Sequence, residues 1–390
     1  MIAMLRIAMF ACVLGVGLAR AEKPPVFIGA DLEISDITST ADDAILLGME
    51  TAIEEINARG GVLGGRKLVL HTTDNRGIPA RGLDNAIAMA DKPDLVAMMV
   101  GKFSAIAMEQ RSLIEERGLP MLDPWAAADV ITEHGDKPNY AFRLSLTDSW
   151  AMQVLLKHAR SRGLTKVGIL APANVWGRSC IAAIERDLAL NKGVVVSVQS
   201  YYWGGEKSLA KHYHAMRAAG ANVVVLVANE SDGALFIRDV AAQPEHERLP
   251  VVSHWGVLTG RFIELAGDAL SKVDLVTVTT RNIHPPRNEA ARKLARAGMT
   301  YFKVDDPAKI ISISGLANAY DLTHLLARAI DQAGSTNRAK IRAALERLPP
   351  HEGAIKRYEP AFTPERHEAL SAADVMLIRF VNGRWVPLGR

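Results

Sequence analysis

The stretch at residues 41–72, ADDAILLGMETAIEEINARGGVLGGRKLVLHT, decides the fold. In its first half Ile45, Met49, Ala52, Ile53 and Ile56 recur at three- and four-residue spacing, which lays one apolar stripe along a helix predicted over residues 41–59. Gly60-Gly61 ends that helix, because glycine enters the left-handed conformation at a helix end without a Cβ penalty. Residues 67–72 then read as a strand, and Val26-Phe27-Ile28-Gly29-Ala30 reads as a strand before the helix. A helix flanked by two β-type runs is the repeating unit of a parallel sheet.

Working outward, the same alternation continues. Helices are predicted over 80–90 and 105–117, with strands over 94–100 and 119–122. After about residue 142 the pattern restarts: helices over 150–162, 177–190, 207–219 and 231–242 alternate with strands over 166–171, 194–199, 222–228 and 249–253. Asn222-Val-Val-Val-Leu-Val-Ala228 is a continuous apolar run of the kind buried on both faces of a parallel sheet. A strand over 274–280, long helical segments over 308–333 and 338–347, and a strand pair over 374–386 complete the chain. The reading is α/β, with two doubly wound parallel-sheet lobes: residues 22–142 with 280–346 in one, 143–279 with 347–390 in the other. Residues 140–146, 273–281 and 354–358 are the expected crossings, a three-segment hinge. Open parallel sheets bind ligands at the carboxyl ends of their strands, so the cleft between the lobes is the expected site, and hinge closure its expected motion.

Arg6, the apolar run at 7–18 and Ala19-Arg20-Ala21 have the order of a secretory signal peptide, placing cleavage near Ala21. Residues 1–21 are read as that leader and the remainder as exported, not membrane-embedded. The formal charge of +3 loses Arg6 and Arg20 with the leader, leaving 3 − 2 = +1. A nearly neutral chain lacks the basic face of a nucleic-acid binder. Cys12 leaves with the leader, so Cys180 has no disulfide partner and stability must come from a core. An apolar content of 49% with 23% charged residues is consistent with that.

The segment Gly48-Met-Glu-Thr-Ala-Ile-Glu-Glu-Ile-Asn57-Ala-Arg-Gly60-Gly61 through Leu68 resembles the first helix and turn of the leucine/isoleucine/valine-binding protein family. These are type I periplasmic solute-binding proteins of ABC importers. Leu122-Asp-Pro-Trp125-Ala126-Ala127 resembles the family's S/T-P-x-A-T loop, Tyr140-Ala-Phe-Arg143 its first crossover, and Ala319-Tyr-Asp321 with Ala333-Gly-Ser335 its late helix. The resemblance implies a periplasmic protein, expected as a monomer, that traps a small solute and delivers it to an inner-membrane permease. A ligand-sensing protein reporting to a membrane sensor kinase is the alternative on the same fold.

By the same resemblance Ser104 matches a serine that binds ligand carboxylate, and Ala126 a backbone contributor beside it. Trp125 stands at a usually small position, Ala127 where a threonine helps hold an ammonium, and Trp176 at a cleft tyrosine. Asn229 and Glu230 lie where another cleft tyrosine is expected, and Trp255-Gly256 where the family carries the carboxylate that pairs with the ammonium. A buried ammonium without a partner is prohibitive, so either Glu230 replaces that carboxylate or the solute is not an ordinary α-amino acid. Indoles at 125, 176 and 255 suit an aromatic carboxylate, a small apolar acid or a quaternary amine; each is equally readable as core or hinge packing. No enzyme is expected: Ser104 lacks a Gly-x-Ser-x-Gly elbow. His212 and His214 do not share a helix face, so neither a metal nor a cofactor is expected. Arg338, Lys340, Arg342 and Arg347 read most simply as a solvated face.

Overall fold

The computed structural model describes residues 23–35 and 40–388; the leader expected at 1–21 lies outside the described residues. Five parallel strands build a first sheet in the order β2-β1-β3-β4-β5: β1 Val26–Leu32, β2 Leu68–Asp74, β3 Leu95–Val100, β4 Met121–Asp123 and β5 Ala141–Arg143. The second sheet repeats that winding. Its strands β6 Lys166–Pro172, β7 Val194–Tyr201, β8 Val223–Leu226, β9 Val251–Ser253 and β10 Leu275–Thr280 lie in the order β7-β6-β8-β9-β10, again parallel. In each sheet the second strand lies outside the first and the third inside, so each has a topological switch point, where ligands bind in such sheets.

Helices α1 Thr40–Ala58, α2 Pro79–Asp91, α3 Ser104–Arg117, α4 Asp148–Ser161, α5 Val175–Leu190, α6 Ala210–Ala218, α7 Glu230–Ala241 and the short α8 Phe262–Ala266 connect the strands. The opening stretch folds as read. The α1 stripe of Ile45, Met49, Ala52, Ile53 and Ile56 is buried. Gly61 sits at φ +72°, and a Cβ there would meet the Arg66 carbonyl oxygen at 2.1 Å, so the turn requires glycine on both counts. Thr147 and Asn174 cap α4 and α5 through side-chain oxygens that accept backbone N–H groups.

After β10 the chain returns to the first sheet as α9 Glu289–Phe302, α10 Ile313–Ala333 and α11 Arg338–Leu345, which pack around α1 and one another. Arg338 and Arg342 do not form a merely solvated face. Arg338 donates to the carbonyls of Leu95 and Ala90, and Arg342 to that of Asn139, fastening α11 to the first lobe.

The third crossing falls later than expected. A short hairpin, β11 His351–Glu352 with β12 Arg357–Tyr358, stays on α10 because the buried Asp321 carboxylate accepts from the Ala354 and Ile355 N–H groups and the Tyr358 hydroxyl. The chain then runs beside β5, with Arg143 N–H donating to the His367 carbonyl and Ala369 N–H to that of Arg143. It joins the second sheet only as antiparallel β13 Val375–Val381 and β14 Arg384–Pro387. Residues 347–370, expected in the second lobe, thus pack on the first.

Candidate functional site

The turns after β3 and β4 of the first sheet face those after β6, β8 and β9 of the second. Six of the eight residues singled out from sequence meet there: Ser104, Trp125, Ala127, Trp176, Asn229 and Trp255 line one cavity with Lys102, Phe103, Trp203 and Gly256. The space left between these side chains is small, about 10 Å³. Ala126 is buried in the apolar cluster of the first lobe instead. Glu230 also stands off the cavity, where its carboxylate accepts from the Thr259 hydroxyl.

The loop carrying Trp125 and Ala127 is fixed from every side. Asp123 accepts the Trp125 N–H at 2.9 Å, Ser145 donates to the Trp125 carbonyl at 3.0 Å, and Asn318 donates to the Pro124 carbonyl at 2.9 Å. Arg143, fully buried, donates to the carbonyls of Ala127 at 3.1 Å and Ala128 at 2.8 Å. Ser104 Oγ, at the first residue of α3, accepts the N–H groups of Ala127 and Ala128 at 3.2 and 3.3 Å. With both acceptor positions of Oγ taken, its own O–H is left to donate into the cavity. Burial pushes the Asp123 carboxyl up to about 6 despite the Arg143 guanidinium 3.7 Å away.

Trp125 belongs to the first lobe and Trp255 to the second, and their rings stack across the cleft with centroids 4.4 Å apart and planes 20° from parallel. Phe103 and Trp203 meet across the same gap at 5.3 Å. Gly260 N–H donates to Thr40 Oγ1 at 2.6 Å, and Arg186 pairs with Asp129 at 2.7 Å, so the lobes touch at several points around the cavity. Gly256 admits no side chain: a Cβ would meet the Ala228 carbonyl oxygen at 2.4 Å and Trp176 Cη2 at 2.8 Å. A larger, mainly apolar cavity of about 110 Å³ shares Trp125 and Trp255 as wall residues and is lined further by Thr279, Ile310, Ser314 and Met376.

Lys102, the cation of this cavity, carries the local electrostatics. Its ammonium lies 2.9 Å from Glu33, and its backbone N–H donates to Asp42 at 2.8 Å. Burial disfavours the charged amine, but Glu230, Asp42 and Glu33 together outweigh that and hold it above the usual lysine range. Burial raises the Asp42 carboxyl to about 7 against the opposing pull of Lys102. On the far wall Trp176 Nε1 donates to Asp148 at 3.2 Å, and His254 Nε2 lies 3.0 Å from the same oxygen.

Lys102, Phe103 and Trp203 escaped sequence reasoning. Lys102 and Phe103 directly precede Ser104 at the end of β3, so position at a strand's carboxyl end was the available signal. Trp203 lies in the turn after β7, where its aromatic character alone could have drawn notice.

The family model for periplasmic binding proteins matches residues 25–383. The chain is 24% identical to Leu/Ile/Val-binding protein homolog 3 of Brucella melitensis over 347 residues, covering 87% of this chain and 88% of that one. Its fold is similar to that of a type 1 periplasmic binding protein from Bordetella pertussis, at a TM-score of 0.83 and 21% identity, covering 93% of this chain and 100% of the other. It is similar also to a solute-binding protein of an ABC transporter from Rhodopseudomonas palustris in complex with 3,4-dihydroxybenzoic acid (TM-score 0.76, 16% identity, 93% and 96% covered). The branched-chain amino acid transporter substrate-binding protein LivJ of Streptococcus pneumoniae, in complex with isoleucine, is a third such structure (TM-score 0.76, 18% identity, 93% and 100% covered). Two doubly wound lobes closing on a shared cavity, and a family match along nearly the whole chain, lead to one conclusion: this chain belongs to the periplasmic binding protein family, of the Leu/Ile/Val-binding type.

Proposed function

We propose that this solute-binding protein works in the periplasm, trapping a small carboxylate-bearing solute, an amino acid or an aromatic or apolar acid, and presenting it to an ABC permease. No bond is made or broken. Among these solutes the site favours an aromatic acid, and the observation that carries this is the Trp125–Trp255 stack across the cleft. A planar ring entering between two indoles gains two stacking faces, each worth about 0.5–1.5 kcal/mol beyond area burial. The lobes then need only part far enough to admit one ring thickness. Lys102 and the Ser104 hydroxyl receive the carboxylate at the cavity's polar end. The adjoining apolar cavity of about 110 Å³ receives part of the solute body once the indoles separate.

An α-amino acid is less well served. Ala127 and Gly256 offer no side-chain acceptor, Glu230 is engaged by Thr259, and Glu33 and Asp42 are engaged around Lys102. An unpaired ammonium there would lose its hydration without compensation. The aromatic-acid complex among the structural neighbours supports the reading, and the isoleucine complex supplies the competing one.

A calorimetric titration separates them. Benzoate and its hydroxylated forms are expected to bind, leucine and isoleucine to bind at least tenfold more weakly, and Trp125→Ala to remove most of the aromatic-acid affinity. Tighter binding of leucine than of any aromatic acid, unaffected by Trp125→Ala, would overturn the assignment.

A further inference from the structure

Behind Trp176, three side chains from separate elements converge: Asp148 at the start of α4, Cys180 within α5 and His254 just after β9. Their donor atoms all lie within 4.8 Å of one another, and each residue is 0% exposed. Among the described residues neither ring nitrogen of His254 has a well-aligned hydrogen-bond partner, although Nε2 lies 3.0 Å from Asp148 Oδ1, and neither does Asp148 Oδ2. Buried polar atoms in native proteins are satisfied as a rule, and an orphaned group points to a water or an ion. An imidazole nitrogen and a carboxylate oxygen left without partners beside a buried thiol make the ion the better account.

We propose that Asp148, Cys180 and His254 form a binding site for a zinc-class divalent cation. The donor chemistry selects the metal. A thiolate, an imidazole and a carboxylate form a mixed sulfur, nitrogen and oxygen set that suits zinc, whereas magnesium and calcium take oxygen ligands. Zinc bonds of about 2.0–2.3 Å in tetrahedral arrangement place donors roughly 3.5 Å apart. The donor atoms of the three residues, all within 4.8 Å of one another, must draw together by about an ångström to meet that.

Charge balance also fits. One carboxylate and one thiolate neutralise a divalent ion, so the loaded site is neutral and tolerates burial. On loading, the Cys180 S–H bond breaks, an S–metal bond forms, and the proton leaves to solvent. Without the ion, burial and the neighbouring Asp148 keep the Cys180 thiol protonated well above its ordinary range, so it does not serve as a nucleophile.

Trp176 connects this centre to the cleft. Its indole N–H donates to Asp148 Oδ1 at 3.2 Å, the outer partner that orients a ligating carboxylate, and leaves Oδ2 for the metal. The same indole lines the solute cavity. Loading therefore stiffens one cleft wall whichever solute the lobes enclose.

The test uses a Cys12→Ala background, so that Cys180 is the sole thiol. The chain is unfolded, refolded with zinc, with cobalt(II) or with a chelator, and desalted. One equivalent of zinc per chain, a thiolate-to-cobalt charge-transfer band and a higher Tm than the chelated sample are expected. Trp176→Phe should fold normally and weaken zinc binding by about 10- to 100-fold. Cys180→Ser, or His254→Gln should that variant fail to fold, should lose both zinc and band. Retention of no zinc by the parent chain, or a band that survives loss of Cys180, would overturn the proposal.

Discussion

Replacing Ser104 by alanine tests two roles of one hydroxyl. Its oxygen accepts the Ala127 and Ala128 N–H groups at 3.2 and 3.3 Å, and its hydrogen is assigned to the solute carboxylate. A buried donor left without an acceptor costs about 1–3 kcal/mol. Both contacts are long for N–H···O bonds, so the lower end applies to each, giving roughly 2 kcal/mol in all. For a lobe of this size that lowers Tm by about 4–8 °C, readable by scanning calorimetry without ligand. Losing the donor to a buried carboxylate should cost a further 1–3 kcal/mol of binding, roughly 5- to 150-fold in Kd, measured by titration with benzoate. The two readouts fail separately. A lowered Tm with unchanged affinity would confine Ser104 to holding the loop and remove it from the solute site. An unchanged Tm would refute the reasoning about the loop itself.

Two further outcomes follow from buried charge. Arg143→Met should destabilise the chain by about 3–5 kcal/mol in urea unfolding, because it leaves Asp123 buried without its cation and removes the guanidinium that donates to the Ala127 and Ala128 carbonyls and the Thr132 hydroxyl; a loss below about 1 kcal/mol would show that this arginine is dispensable. Asp42 binds its proton below about pH 7 when folded but only below the ordinary aspartate value of 3.8 when unfolded, so the folded chain carries the extra proton between those values and this group's contribution to stability falls as pH rises through them. Asp42→Asn should remove a slope of up to about 1.4 kcal/mol per pH unit from that window, while His324 and His351, whose folded values near 4 give the opposite slope, are left in place. Identical pH profiles for variant and parent would count against a protonated Asp42.

The alternation of strands and helices was legible because each element buries a face with its own period. The α1 stripe and the unbroken Val223–Leu226 strand are the strongest cases. Helix α9 was not read, and its buried face explains why: Ala291, Leu294, Ala295 and Gly298 are mostly too small to register as an apolar stripe. The late return to the second sheet was hidden for a different reason. It depends on Asp321, a single carboxylate on a buried helix, capturing backbone N–H groups more than thirty residues away. Nothing local in Ala354 or Ile355 marks them as partners. The arginines of α11 misled in the same way, since a basic run looks the same on paper whether its guanidiniums meet water or the carbonyls of Leu95 and Asn139.

The site repeats this division. Trp125, Trp176 and Trp255 could be placed through the family resemblance, and each follows a strand whose carboxyl end borders the cleft. What could not be read was which of them would face one another. The indoles of 125 and 255 come from opposite lobes, so their stack exists only once both sheets are wound and apposed. Lys102 shows the same limit in electrostatic form. Nothing in the sequence singled it out, yet folding surrounds it with Glu33 and Asp42 from the first lobe and Glu230 from the second. Of these four groups only Lys102 lines the cavity. Under the proposed function a solute carboxylate would meet an ammonium held from behind by three carboxyl groups, of which burial raises Asp42 to about 7. That carboxylate would share the ammonium with Glu33, 2.9 Å away, and a proton taken up by Asp42 would offset the added negative charge.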